Sequence, residues 1–253
     1  MELTLKGRTA LVTGANGGLG SHFAQTLAQA GASVVVAARR LDSLRQVSDS
    51  IAAGGGRAGP IALDVTDAAS VARAFEEGAA ALGPITVVVN NAGIAITKPL
   101  LEHTEEDWRQ VIEVNLNGAW RVAQAAARHM VKNEQGGSIV NIASILGLRV
   151  SAQVPSYAAS KAALIHLTKA MALELARYRI RVNALAPGYV ETGINREFFE
   201  SDAGRALVNR VPQRRIGRPE ELDAALLLLA SEAGSYITGA VLAVDGGHVV
   251  NTL

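Results

Sequence analysis

Cysteine is absent from the 253 residues. Disulfide frameworks, thiolate nucleophiles and cysteine metal ligands are therefore excluded. An excess of either charge is lacking too: 24 basic residues face 23 acidic ones, for a net charge of +1. A nucleic-acid binder needs a concentrated positive field, so no nucleic-acid partner is expected. No apolar stretch approaches the roughly 18 residues of a membrane span. The longest, Ala224 to Ala230, reads as a piece of buried helix. The opening Met1-Glu-Leu-Thr-Leu-Lys-Gly-Arg8 holds no apolar core, so no signal peptide is expected. His22, His103, His129, His166 and His248 are scattered without metal-ligand spacing. No metal is expected, and each reads as a surface or packing residue. What remains is a chain 49% hydrophobic and 19% charged, long enough to bury a full core. A soluble, cytoplasmic protein is the default.

Apolar strands alternate with amphipathic helices along the whole chain. Strands are predicted at 9–13, 33–37, 60–63, 86–90, 138–142, 181–186 and 240–244. Helices are predicted from the glycine cluster to Ala30, capped by Gly31, and then roughly at 41–53, 67–82, 105–132, 157–178 and 219–230. Such alternation implies an α/β fold, a doubly wound parallel sheet of about seven strands with helices on both faces. Without linker or repeat, residues 1–253 read as a single domain. The segment at about 188–218 breaks the rhythm, with Phe198, Phe199 and several arginines but no clear strand. An insertion there falls near the strand C-termini, where ligands bind in such sheets, and is read as the substrate-binding part.

Thr13-Gly-Ala-Asn-Gly-Gly-Leu-Gly20 follows the first strand and opens the first helix. Gly14, Gly17, Gly18 and Gly20 would let backbone N–H groups approach a pyrophosphate at a helix N-terminus. The alternative is a plain strand-to-helix turn. About 20 residues on, the second strand ends Val36-Ala-Ala-Arg39-Arg40, where an acidic residue would hold an adenosine ribose 2′-hydroxyl. Arginines there could meet a 2′-phosphate instead, or be a solvated helix start. NADP(H) is favoured, and NAD(H) stays open. Asp64 is a candidate for the adenine edge, or for capping the next helix.

Tyr157 and Lys161 stand four apart at a helix start and share one face. A nearby ammonium is expected to lower the phenol's pKa and fit Tyr157 for proton transfer to or from an oxygen. Ser144, after the fifth strand, can hydrogen-bond the same oxygen. Asn115, in the long fourth helix, could anchor a water beside Lys161.

These residues resemble the short-chain dehydrogenase/reductase family in its compact form. The likeness covers nearly the whole chain: Thr13 to Gly20, Leu63-Asp64-Val65, Asn90-Asn-Ala-Gly93, Asn115, Ser144, Tyr157-Ala-Ala-Ser-Lys161, Pro187-Gly188 and Val244-Asp-Gly-Gly247. The resemblance implies a Rossmann-type sheet and a catalytic set of Asn115, Ser144, Tyr157 and Lys161. It implies cofactor contacts at Gly14, Asn16, Gly17, Gly18, Leu19, Gly20, Arg39, Arg40, Asp64, Val65, Asn91, Ala92 and Gly93. Tyr157 and Lys161 join them, Lys161 on the nicotinamide ribose hydroxyls. Pro187, Gly188, Val190 and Thr192 would cradle the nicotinamide and pyrophosphate. It further implies hydride transfer from the B face of the ring, and a homotetramer packed through helices 105–132 and 157–178.

The substrate pocket is expected to be mainly apolar. Ser144, Ile145, Leu148, Val154, Tyr157, Tyr189 and Phe198 are the principal candidates, with Ile94, Ile96, Val150 and Phe199 beside them. Arg149 and Arg196 either bind an anion or, as the safer expectation, face solvent. The substrate is then a small carbonyl or alcohol compound on a hydrophobic body. Three readings follow: an NADPH-dependent carbonyl reductase, 3-oxoacyl-carrier-protein reductases included; an NAD-dependent alcohol or polyol dehydrogenase; and a non-catalytic cofactor-binding protein. Arg121, Arg128, Lys132 and Arg177 form either a patch for an acidic carrier protein or solvated helix faces.

Overall fold

Strands apolar on both faces need cover on both faces, and this chain supplies it. The computed structural model describes residues 3–192 and 196–250, without the side chains of Arg196 and Phe198. Its strands are β1 (Thr9–Thr13), β2 (Ser33–Ala38), β3 (Arg57–Ala62), β4 (Ile85–Asn90), β5 (Gly137–Ile142), β6 (Ile180–Pro187) and β7 (Val241–Val244). They form one seven-stranded sheet in the order β3-β2-β1-β4-β5-β6-β7. Every pairing is parallel.

The helices are α1 (Gly18–Gln29), α2 (Leu41–Ala53), α3 (Ala68–Leu82), α4 (Glu105–Ile112), α5 (Ala119–Lys132), α6 (Pro155–Leu175), α7 (Arg196–Glu200), α8 (Asp202–Val208) and α9 (Asp223–Ala230). Successive strand residues point to opposite faces. Ala10 and Val12 pack with Phe23 and Leu27 of α1, Leu44 of α2 and Leu226 of α9. Leu11 between them packs with Phe75 of α3, Met130 of α5 and Ala172 of α6 on the other side. Both layers are dry, with most of these side chains fully buried.

The strand order reverses beside β1, whose neighbours are β2 and β4. Crossovers leave this point in opposite directions, and a crevice opens at the C-terminal strand ends. The glycine loop, Arg39 and Asn91 all follow strands that end there.

The structure departs from the sequence expectation in four places. β3 begins at Arg57, three residues early, and includes Gly59 and Pro60. As an edge strand it leaves Pro60 without a ladder bond to miss. The helix expected over 105–132 is broken by a π-helical turn at Glu113–Gly118. The inserted segment holds α7 and α8. The helix expected from 219 begins as a 3₁₀ turn, Pro219–Leu222.

Candidate active site

The glycine loop is shaped by contacts that a side chain would forbid. A Cβ on Gly20 would lie 2.2 Å from the Gly14 carbonyl oxygen and 2.6 Å from Asn91 Nδ2. α1 can therefore start against the loop only with glycine there. Asn91 Nδ2 donates to the Thr13 carbonyl at 3.0 Å, and Thr13 Oγ1 accepts from the N–H groups of Asn91 and Ala92, both at 3.0 Å. These bonds tie the end of β1 to the end of β4. At α1 no side chain caps the helix, and its first turn holds no acid. Its N–H groups remain for an anionic ligand. At Gly17, where the backbone is extended, an added Cβ would meet nothing within 4 Å. The protein's own packing does not demand glycine there, and the space beside it is open.

Beyond the loop lies a cavity of about 640 Å³, lined by Gly14, Asn16, Arg39, Arg40, Asp64, Val65, Ala92 and Gly93 among others. Arg39 and Arg40 are exposed and form no ion pair among the described residues. Asp64 Oδ1 accepts from the Thr66 N–H and hydroxyl, at 2.9 and 2.7 Å. Those bonds, outweighing burial and helped by Arg39, hold its carboxyl below the usual range. Helix α3 is capped by Asp67, which accepts from Ala69 N–H at 2.9 Å. Asp64 is thus no helix cap, and its Oδ2 takes no hydrogen bond among the described residues. Volume, anion-ready helix end, open arginines and carboxylate oxygen together fit a dinucleotide.

The candidate catalytic residues Ser144, Tyr157 and Lys161 gather where β5 meets α6. Ser144 accepts from Leu146 N–H at 3.1 Å, which starts a 3₁₀ turn, Ile145–Gly147. A Cβ on Gly147 would stand 2.7 Å from the Lys161 carbonyl carbon. Glycine there lets the turn carrying Ser144 press against the helix carrying Tyr157 and Lys161. Pro155 opens that helix at its first turn, where its missing N–H is harmless. Lys161 is buried, its ammonium 5.5 Å from the centre of the Tyr157 ring and donating to the Ile142 carbonyl at 2.7 Å.

Burial sets the protonation of both groups. Lys161 is pushed down to about 8 by desolvation. Tyr157 is pushed up, chiefly by desolvation and further by Tyr189, against a smaller opposing hydrogen bond with Ser144. The sequence expectation that Lys161 lowers the phenol is therefore corrected for the free protein. Desolvation dominates, and Tyr157 holds its proton at neutral pH.

Asn115 sits in the π-helical turn. Its side chain donates to the Ile94 carbonyl at 2.9 Å and accepts from Ile94 N–H at 2.8 Å. It also donates to Ser160 Oγ at 3.1 Å, and Ser160 donates to the Tyr157 carbonyl at 2.7 Å. The loop after β4 is thereby clamped to α6.

A family model described as enoyl-(acyl carrier protein) reductase matches residues 14–249. The 3-oxoacyl-[acyl-carrier-protein] reductase of Thermotoga maritima is 40% identical over 251 residues, covering 98% of this chain and 100% of that protein. The 2-dehydro-3-deoxy-D-gluconate 5-dehydrogenase of Dickeya dadantii is 35% identical over 244 residues, 96% of each. A gluconate 5-dehydrogenase from Burkholderia cenocepacia, solved in complex with NADP and tartrate, superposes with a TM-score of 0.94 at 38% identity, over 99% of this chain and 98% of that one. The chain belongs to the short-chain dehydrogenase/reductase family. It is an oxidoreductase acting on CH–OH or keto groups with NAD(P), which removes the non-catalytic reading.

Several residues of this short-chain dehydrogenase/reductase stand differently from the sequence expectation. Ile145 is buried, 3% exposed. Leu148 and Val150 are exposed, and Val154 is half-buried. Phe198 and Arg196 were singled out from the sequence, but their side chains lie outside those described. Arg149 is half-buried, not solvated, and donates to the His248 carbonyl. His248, read as a surface or packing residue, packs: its half-buried ring lies on Tyr189, 5.4 Å between centroids, and Tyr189 meets Phe199 edge-on at 6.0 Å. Gly188 N–H bonds to the Val244 carbonyl, which ties the loop after β6 to β7, and buried Val190 bridges to Gly217. Leu19 is partly buried in the core of α1. Of the four cations read as a carrier-protein patch or as solvated helix faces, Arg121 pairs with Glu113 at 2.6 Å and Arg177 stacks on Tyr178.

Some supporting residues escaped the sequence reading. Thr13 lay inside the quoted motif, yet nothing in its type announces two accepted N–H bonds. Asn90 Nδ2 donates to the Ala119 carbonyl at 2.9 Å and to Asn141 Oδ1 at 3.0 Å, and Asn141 donates to Thr168 Oγ1 at 2.8 Å. An asparagine in each of two apolar strands was the available signal for this buried bridge beneath the site.

Proposed function

We propose that the protein is an NADP(H)-dependent reductase of ketones on a mainly apolar body, with Tyr157 as proton donor. The observation that carries the cofactor preference is the pair Arg39 and Arg40, open at the rim of the cavity where β2 ends without an acid. Guanidinium groups suit a ribose 2′-phosphate. When bound, the cofactor supplies hydride at nicotinamide C4. The chain's residues do the rest. The N–H groups of α1 face the pyrophosphate, and Asp64 Oδ2 takes the adenine edge. Lys161 holds the nicotinamide ribose, while Val190 and Thr192 cradle the ring. Ser144 and Tyr157 donate to the substrate oxygen, and Tyr157 gives up its proton as the oxygen gains electron density. A phenol kept protonated by burial fits reduction as the working direction. Asn115 positions these groups through Ile94 and Ser160.

The relatives include both a ketone reductase and a sugar-acid dehydrogenase at similar identity, so oxidation of an alcohol is the second reading. Replacing Arg39 by Ala tests the first: the KM for NADPH should rise at least tenfold while that for NADH barely moves. Equal effects on both would remove the 2′-phosphate assignment. A homotetramer is part of the same proposal. Its support is the exposed Trp108, Trp120 and Leu173 on α4, α5 and α6. Light scattering should give four chains per particle.

A further inference from the structure

The turn that carries Ser144 continues into Arg149, whose N–H bonds to the Ile145 carbonyl at 2.8 Å. The spacing between the two residues is thereby fixed. The guanidinium of Arg149 carries five N–H donors. One N–H group meets the His248 carbonyl. No other side-chain hydrogen bond and no carboxylate engages the group among the described residues. Two other half-buried arginines, elsewhere in the fold, are engaged more fully. Arg121, also half-buried, pairs with Glu113, and half-buried Arg181 donates to the carbonyls of Leu229 and Ser231. Partly desolvated cations normally find such partners.

The surroundings point the same way. The His248 ring lies on Tyr189 at 5.4 Å. Its Nδ1 is buried without a hydrogen-bond partner among the described residues. Tyr189 lies near enough to Tyr157 to affect its ionisation, and Arg210 acts on both Tyr189 and His248. The nearby carboxylate, Asp245, is occupied: its oxygens accept from Gly247 N–H at 2.9 Å and Val249 N–H at 2.6 Å. Arg149 and Arg210 thus bring positive charge to the aromatic cluster of Tyr189, His248 and Phe199.

Resting on the ketone-reductase reading, we infer that Arg149 anchors a carboxylate on the substrate, so that the enzyme takes oxo acids in preference to their neutral counterparts. A carboxylate accepts a forked pair of N–H bonds from a guanidinium, and Arg149 has donors to spare. The His248 carbonyl holds the fork in place beside Tyr189.

The test uses 3-oxobutanoate, 4-oxopentanoate and 5-oxohexanoate, each against its methyl ester, with wild type, Arg149→Met and Arg149→Lys. The best acid should exceed its ester at least tenfold in kcat/KM. That ratio should collapse in Arg149→Met and survive largely in Arg149→Lys. Glutarate binding to the NADP-saturated protein, measured by calorimetry, should weaken at least tenfold in Arg149→Met; circular dichroism shows whether that variant is folded. Acids and esters reduced equally well, with glutarate binding unchanged in a folded Arg149→Met, would overturn the inference and leave the reductase reading standing. Glutarate binding that depends on Arg149, with no ketone of either kind reduced, would keep the anion anchor and overturn the reductase reading.

Discussion

At the scale of single residues, the site runs on desolvation. Tyr157 stays protonated through the neutral range, and Lys161 loses its charge above about 8. Replacing Tyr157 by Phe removes the transferable proton but keeps the ring, so turnover should fall at least 10³-fold, within the range assigned to general acid–base catalysis and oxyanion stabilisation together. NADPH binding should be retained in a fluorescence titration; surviving turnover would show that another group supplies the proton. A pH–rate profile checks Lys161: reductive kcat/KM should fall as pH rises through about 8. His129 gives a second titration. Its Nε2 accepts from Ile85 N–H at 3.0 Å at the start of β4, and burial, with Lys132, holds its pKa below the ordinary value. The folded state therefore favours the neutral ring. Stability from this bond is full above about pH 6.5 and is lost as pH falls through the lower folded value. Thermal melts from pH 8 to 5 should show that loss, and His129→Gln should flatten it.

At the scale of elements, the turns decide the geometry. Gly147→Ala puts a methyl against the Lys161 backbone. Such overpacking costs about 1–3 kcal/mol, which for a chain of this size lowers Tm by about 2–4 °C per kcal/mol. Turnover should fall further than stability accounts for, because Ser144 moves relative to Tyr157. Wild-type activity in this variant would show that the close approach does not matter. The same scale explains what the sequence could and could not reveal. The central strands were legible because β1, β2 and β4 to β6 are apolar on both faces. That Tyr157, Lys161 and Ser144 come together was legible from their type, spacing and place; the roles proposed for them rest on that proximity. The π-helical turn was not, since Glu113 to Gly118 fits helical periodicity and its cause is remote: Asn115 reaching Ile94 and Ser160. Arg149 was misjudged for the same reason, as its partner lies 99 residues away.

At the scale of the whole molecule, the sheet places the candidate catalytic residues at its C-terminal edge, above a buried polar bridge. Asn90, Asn141 and Thr168 join β4, β5 and α6 beneath the site. Asn90→Ala leaves the Ala119 carbonyl and Asn141 Oδ1 without this donor, at a cost of about 1–3 kcal/mol for each group left unsatisfied. Denaturant melts should show that loss, while a cost within experimental error would mean that water replaces the amide. The central claim joins the switch-point crevice to the arginines at the end of β2. Fluorescence titration of the purified protein with NADPH and with NADH tests it most directly. NADPH should bind at least tenfold more tightly, with the advantage lost when Arg39 and Arg40 are both replaced by Ala. Equal or tighter binding of NADH would contradict the account.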